Sequence, residues 1–438
     1  MRKHYFLIVP LLWALCTNDV CAQSVERQSL TLEQMFELAE QNNNRIKAHT
    51  TAVRQAVEEV KVAKNAYLPS IETSLSVSYN SDGTILDRDF GNAFTAEIPD
   101  FGNNFIVEVS QVIYAGGAIR SGIELSGLKA QITSLHADRN RQEVRFLIVG
   151  NYLEISKLSN QVEVLDSHIS QTEKVLEEMR IRHEQGTALH NDITRYELQL
   201  QNLRYTKTTL LNAKQLLNNQ LTMALGLPES VEIQTDSIDI ANLNEKNATQ
   251  WQDIAAQTAI PLQMAEKAIQ INKQQKRLTH AERLPKVALF AMNNLTGPVT
   301  IEIPALNKNF NYWAVGVGIT YQFDNLYKTN KKIKANKLSI QRAQEEMLVA
   351  QEEVRLGMQA AYSNYRDAYT LLETKEKSVE LARQNYDVVN YRYANDLALI
   401  TDLLDASSQK LDAELQAVNA RINILFNYYK LHYISGTL

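Results

Sequence analysis

The chain has 438 residues, 45% hydrophobic and 22% charged, with a formal net charge of −5. Mild acidity, with no basic patch interleaved with aromatics, excludes a nucleic-acid partner. Beyond the first residues no run of eighteen apolar residues is available to cross a membrane as a helix, so any span must be made of strands.

At the start, Arg2 and Lys3 precede the apolar run YFLIVPLLWALC, and Val20 and Ala22 supply small residues at minus three and minus one. This pattern predicts a secretory signal peptide over residues 1–22, cut after Ala22; the run is too short to be a spanning helix. Cys16 and Cys21 follow no small-residue lipobox and leave with the signal. The exported chain then has neither a disulfide framework nor a thiolate metal site. Losing Arg2, Lys3 and Asp19, two cations and one anion, takes the charge from −5 to −6.

A first helix is expected from Leu32 to Tyr67, where Leu68-Pro69 ends it because the residue before proline resists helical ψ. Strands follow at about 70 to 80 and 105 to 114, separated by the polar loop around NSDGTILDRDFGN. From Ile119 to Glu184 no strong breaker intervenes, which at 1.5 Å per residue is about 100 Å of helix. The next helix repeats Tyr196, Leu200, Leu203, Leu210, Leu217 and Leu221 at coiled-coil spacing. The segment GLPESVEIQTDSIDIANLNEKNAT then leads to a helix from Trp251 to Arg283, closed by Leu284-Pro285. Strands at 286 to 295 and 312 to 323 come next, then a proline-free helical run with Leu404, Leu411, Leu415, Val418, Ile422, Leu425 and Tyr429 on one seam.

The chain is a repeat. A shift of 210 residues superimposes Val107 on Val317, Ile113 on Phe323, Tyr152 on Tyr362, Arg182 on Arg392 and Asp192 on Asp402. Upstream, YLPSIETSLSVSYN matches RLPKVALFAMNN at a shift of 216. The expected division is a first repeat at 23–227, a linker at 228–250 and a second repeat at 251–438.

Faces of a strand alternate. In NYWAVGVGITYQF, Trp313, Val315, Val317, Ile319, Tyr321 and Phe323 make one face wholly apolar, while Ala314, Gly316, Gly318, Thr320 and Gln322 leave the other small. Ile71, Leu75, Val77 and Tyr79 oppose Glu72, Ser74, Ser76, Ser78 and Asn80 in the same way. A soluble sandwich also alternates, but the helices are patterned for one another and leave no partner sheet. Strands of about ten residues fit a tilted membrane span, with the apolar face toward lipid and the small face toward a water-filled lumen. Tyr79, Phe105, Tyr312 and Trp313 suit an interfacial aromatic belt. Four strands cannot close a membrane barrel, and open edges in lipid leave backbone groups unsatisfied, so several chains must share one.

The duplicated helix-strand-strand-helix plan, VSQVIYAGG after the second strand, the turns RHEQGTALHNDITRYE and YRYANDLALITDLLDA, and the terminal GTL together resemble the TolC family of outer-membrane efflux proteins. The resemblance implies a mainly α protein with a membrane β-barrel. In such a protein a homotrimer builds a twelve-stranded barrel continuous with a helical periplasmic tunnel, in the outer membrane of a Gram-negative bacterium. It further implies a passive export duct serving an inner-membrane transporter through a periplasmic adaptor. By the same resemblance Asp402 and Asp405 match an aspartate pair ringing the pore entrance. Asp192 and Tyr393 match latch residues there, and the latch arginine falls on Ala398. The tips Gly186, Thr187, Ala188 and Leu189, with Leu397, Ala398 and Leu399, are then adaptor contacts.

Read without the resemblance, Asp402 and Asp405 are spaced i, i+3 on one helix face near a turn. Asp192 and Asp402 also suit helix starts, where the macrodipole favours acids. Gly186 and Asn395-Asp396 also suit plain turn chemistry. No HExxH, P-loop or G-x-S-x-G occurs, and the eight histidines are scattered, so no catalytic, metal or cofactor site is expected. The competing architecture is an exported coiled-coil scaffold with a soluble β cap that conducts nothing.

Overall fold

The computed structural model describes residues 26–236, 240–243 and 246–438; the expected signal peptide lies outside the described residues, as does part of the expected linker. In chain order the elements are β1 (Glu26–Ser29), α1 (Leu32–Asn42), α2 (Asn44–Lys64), β2 (Ser70–Tyr79), β3 (Gly83–Ile85), β4 (Phe94–Ala96), β5 (Phe101–Tyr114), α3 (Ala118–Glu184) and α4 (His190–Leu225). Then come β6 (Val231–Gln234), α5 (Ala248–Thr258), α6 (Ile260–Ala281), β7 (Lys286–Gly297), β8 (Phe310–Thr320), α7 (Asn325–Ala394) and α8 (Ile400–Ser435). Among the described residues no helix is long and apolar enough to cross a membrane.

The two helices expected before the strands are each broken in two. At Asn43 the backbone turns extended, while the side chain accepts from Arg45 N and Ile46 N and so starts α2 afresh. At Ala259 the backbone is again extended, and Pro261 opens α6. The two breaks stand 216 residues apart, the shift that relates the surrounding segments. An asparagine reads as an ordinary residue in a helical run, which is why the sequence hides the first break.

Each break lets a short helix stack on the end of a long one. Asn43 Nδ2 donates to Ala224 O at 2.9 Å, placing α2 end-on to α4. Thr258 Oγ1 donates to Ser435 O at 2.6 Å, placing α6 end-on to α8. Both joints end in a glycine against the incoming turn: a Cβ on Gly226 would lie 2.6 Å from Asn42 Cβ, and one on Gly436 2.5 Å from Thr258 O. The chain thus has four rods, ordered α2/α4, α3, α6/α8, α7 by their packing. Among the described residues nothing covers the outer flanks of α2/α4 and of α7, which leave apolar side chains exposed: Val62, Leu198, Tyr205 and Met223 on one, Leu348, Leu356, Leu381 and Val388 on the other.

A belt surrounds the joints. β1 pairs in parallel with β6. Buried Asn218 holds β6 by donating to Val231 O and accepting from Ile233 N, both at 2.8 Å. Trp251 is fully buried on the other side, edge-on to His432 at 4.9 Å.

The strands form an antiparallel sheet ordered β2-β5-β7-β8, with β2 and β8 as unpaired edges. That order is also the order of the rods: α2 runs into β2, β5 into α3, α6 into β7 and β8 into α7. Register fixes the faces. One face carries the rows Ile71, Val109, Ala291, Val315 and Leu75, Phe105, Leu295, Asn311; the other carries Ser70, Ser110, Phe290, Gly316 and Glu72, Glu108, Met292, Ala314.

Several expectations shift at this level. β8 ends at Thr320, so Tyr321 and Phe323 are not on the strand's apolar face. They pack edge-on at 4.7 Å in the bend before α7, where Gln322 O and Phe323 O already accept from Asn325 N and Leu326 N. Tyr312 lies on the face opposite Trp313, beside Phe310, so the two cannot belong to one belt. The polar loop holds a small hairpin, β3 with β4.

Midway along the rods, buried His168 of α3 meets Glu414 of α8 at 2.9 Å, and Arg383 Nε of α7 donates to the same carboxylate at 2.8 Å. Burial would raise the Glu414 pKa, but the hydrogen bonds and charges of His168 and Arg383 outweigh it and hold it at about 2. Nearer the belt, burial, with Lys246 nearby, pushes His432 down to about 4. Both depressed values stabilise the fold at neutral pH. The His432 contribution is lost as pH falls from its ordinary 6.5 through about 4, and that of Glu414 as pH falls from 4.5 through about 2. Thermal melts across this range should show stability falling steadily with acid. Glu414→Ala, which leaves His168 buried without its partner, should cost about 1–3 kcal/mol at neutral pH; a melting curve that matches the native protein would disprove the role of this node.

Candidate functional site: the hairpin tips and the strand wall

Far from the sheet, the helical hairpins α3–α4 and α7–α8 turn at residues 185–189 and 395–399. Both turns use the same hydrogen bonds. Gly186 N donates to His183 O and Thr187 N to Arg182 O, while Asp396 N donates to Tyr393 O and Leu397 N to Arg392 O. The pattern needs a left-handed residue, supplied by Gly186 at φ 77° and by Asp396 at φ 59°. Aspartate is among the few side chains that tolerate this conformation. Leu189, Leu397 and Leu399 start or flank the second helices and are exposed, as is Thr187, while Ala188 and Ala398 are half-buried.

Below the turns, Leu176, Met179, Ile193, Tyr196, Tyr386, Ile400 and Leu403 pack into one core, with Tyr393 against it. The acids expected at the entrance sit on its rim. Asp402 Oδ2 accepts from Leu399 N at 3.1 Å, so this carboxylate closes the start of α8. Asp405 Oδ2 accepts from Gln409 Nε2 at 2.7 Å, one turn further along. Burial raises the Tyr393 phenol; the Asp192 charge raises it further, against the opposing charge of Arg182. Tyr393 of the second hairpin and Arg182 of the first are brought together across the two hairpins, on a side where the Asp192 charge is also felt.

Arg182 is the residue that sequence reasoning passed over. Its Nη2 donates to Ala394 O at 2.7 Å, its Nη1 meets Asp396 Oδ1 at 3.2 Å, and its guanidinium lies 5.7 Å from the Tyr393 ring. It therefore crosses from the first hairpin to the second. Its repeat mate Arg392 does not cross; it donates to Leu397 O of its own turn at 3.1 Å. The repeat made Arg182 visible as a paired position, but the crossing depends on how the hairpins sit together. Arg182→Ala should raise amide exchange over residues 394–399 while the helical circular dichroism stays unchanged; unaltered exchange would show that the crossing holds nothing.

At the other end, Trp313, Val315, Val317 and Ile319 are 75, 70, 59 and 72% exposed, on a face that none of the described residues covers. Four helical rods carrying an open amphipathic sheet in the same angular order define one sector of an outer-membrane channel-tunnel. The chain belongs to the outer membrane efflux protein family, whose model matches residues 35–227 and 251–437. It is 19% identical to the outer membrane protein TolC of Salmonella enteritidis, over 98% of this chain and 86% of that one. Its fold is similar to that of the outer membrane protein VceC of Vibrio cholerae, with TM-score 0.75, 14% identity, and 92% and 96% of the two chains covered. It is also similar to a membrane protein of Pseudomonas aeruginosa, with TM-score 0.77, 10% identity, and 92% and 93% covered. The family is one of channels, not of enzymes.

Proposed function

We propose that the protein is the outer-membrane duct of a tripartite efflux system. Three copies would close a twelve-stranded barrel onto a helical tunnel, passing cargo delivered by an inner-membrane transporter through a periplasmic adaptor. The observation that carries this is the coincidence of unpaired flanks. Both edges of the sheet and both flanks of the rod sector are free on the same two sides. A neighbour that pairs β8 with β2 therefore also sets α7 against α2/α4, covering the exposed apolar seams in the same step. A coiled-coil scaffold with a soluble cap gives no reason for the bare outer face of the sheet.

The exposed leucines of the tips suit an adaptor's helical hairpin, and the entrance acids suit a gate. Asp402 and Asp405 of several copies would converge where the tips close, giving a negative ring that attracts cations. Arg182, Asp192 and Tyr393 would hold the two hairpins of one chain together beside it, with Arg182 supplying from the first hairpin the positive charge that Ala398 lacks.

Mild detergent extraction should yield a homotrimer by mass measurement; a monomer would defeat the shared barrel. Val317→Arg should block assembly, since a cation on the lipid face costs roughly 2–4 kcal/mol at mid-membrane. The companion site on the inner face needs care. Lys286 is directly opposite Thr320, whereas Ala314 shares its row with Glu72 and Glu108, so Ala314→Arg should assemble normally. Equal behaviour of the two arginine variants would mean the faces are assigned wrongly. Asp402→Asn with Asp405→Asn should keep the trimer, because asparagine can still accept from Leu399 N. It should also weaken cation selectivity in planar-bilayer recordings, and wild-type selectivity would rule out the acidic gate.

A further inference from the structure

Gly316 lies in the middle of β8, in extended backbone that any residue could adopt. What excludes a side chain there is Phe290, its direct partner in register on β7. A Cβ on Gly316 would fall 2.7 Å from Phe290 Cζ and 3.0 Å from Cε1, and one on Gly318 would come within 4.0 Å of Phe290 Cδ1. The Phe290 ring therefore lies over β8, its tip on Gly316 and its flank toward Gly318. Its row is completed by Ser70 and Ser110, whose hydroxyl oxygens are 2.8 Å apart. In that row Phe290 is the one bulky side chain, and the glycine opposite is what gives the ring room to lie down.

We infer that Gly316 is the seat that keeps the Phe290 ring flat along the inner wall, so that the glycine holds the lumen open at this level and a filled seat would narrow it for cargo. This rests on the duct with its small face inward. Phe290 is four residues from Lys286, where β7 leaves the rods, about 13 Å along the strand at 3.3 Å per residue. The level is thus near the junction of barrel and tunnel, which all cargo crosses. A β-branched side chain at 316 would fill the seat and turn the ring into the lumen, once per chain around the barrel.

The chain's two cysteines are Cys16 and Cys21, both within the expected signal peptide, so an added thiol is unique in the exported protein. Thr320→Cys places one on the same face, four residues nearer the rods than Gly316. A reagent arriving from outside must pass the ring to reach it. Polymer-linked maleimides of graded size are applied to intact cells, and the largest one that reacts is recorded. Gly316→Val should lower this cutoff while a small maleimide still reacts, and adding Phe290→Ala to Gly316→Val should restore it. A cutoff that stays at the native value in Gly316→Val, or stays low in the double variant, overturns the seat. Phe290→Ala alone inserts no bulk and keeps the test open if Gly316→Val does not reach the membrane. A flat ring predicts an unchanged cutoff, and a raised one means that the native ring already stands in the lumen. If the small face instead meets lipid, the thiol introduced by Thr320→Cys reacts with no water-soluble maleimide even beside native Gly316, a failure of the duct and not of the seat.

Discussion

The unpaired edges of the four-stranded sheet are the constraint on which the rest depends. In hydrocarbon an edge strand has no water to satisfy its N–H and C=O groups, and each open group costs several kcal/mol. β2 and β8 are both such edges. Closure by further copies would satisfy them, and closure of the sheet would dictate closure of the helices, because strand order and rod order are the same. The joint that enforces this is tight. A Cβ on Gly116, where β5 passes into α3, would lie 2.7 Å from Leu284 Cβ, where α6 passes into β7. Adjacent strands and their rods cannot shift independently there.

The same logic explains the broken helices. A rod in the tunnel must run past the belt, yet α4 and α8 end at that height. α2 and α6 continue their lines only by starting there, and each needs a residue that ends one helix and begins another. Asn43 does so with its side chain, and Ala259 with the proline two residues on. The belt built on β1, β6 and Trp251 packs around these joints, burying apolar surface where a continuous helix would need none.

Much of this plan was legible in the sequence, for physical reasons. Alternation over ten residues marks a strand because its faces meet different surroundings, and a hundred residues without proline permit rods of this length. The shift of 210 aligns the spans of α4 and α8 residue for residue. Ends were less visible. Tyr321 and Phe323 continue the apolar alternation, but the first hydrogen bonds of α7 take the backbone away from the sheet. The glycines of β8 could be read only as a small face until register set Phe290 against Gly316. Among the tip residues the acids and the turns stood out by spacing, whereas Arg182 acts through a contact between hairpins that no local pattern encodes.

The tips show how a duplicated chain acquires a direction. Both turns share their backbone pattern, and both carry an arginine at the same repeat position, yet Arg392 is bound within its own turn while Arg182 reaches the other hairpin. At the tips Arg182 of the first hairpin therefore reaches the second, while Arg392 is held within its own turn. Asp396 is the receiving side chain in the place of Gly186, and its carboxylate is 80% exposed, so the ion pair itself is weak. The bond to Ala394 O and the half-buried Tyr393 ring beneath the guanidinium give the contact its definition. The contact thus ties the second hairpin to the first through one backbone bond and one ring face, with little charge energy in it.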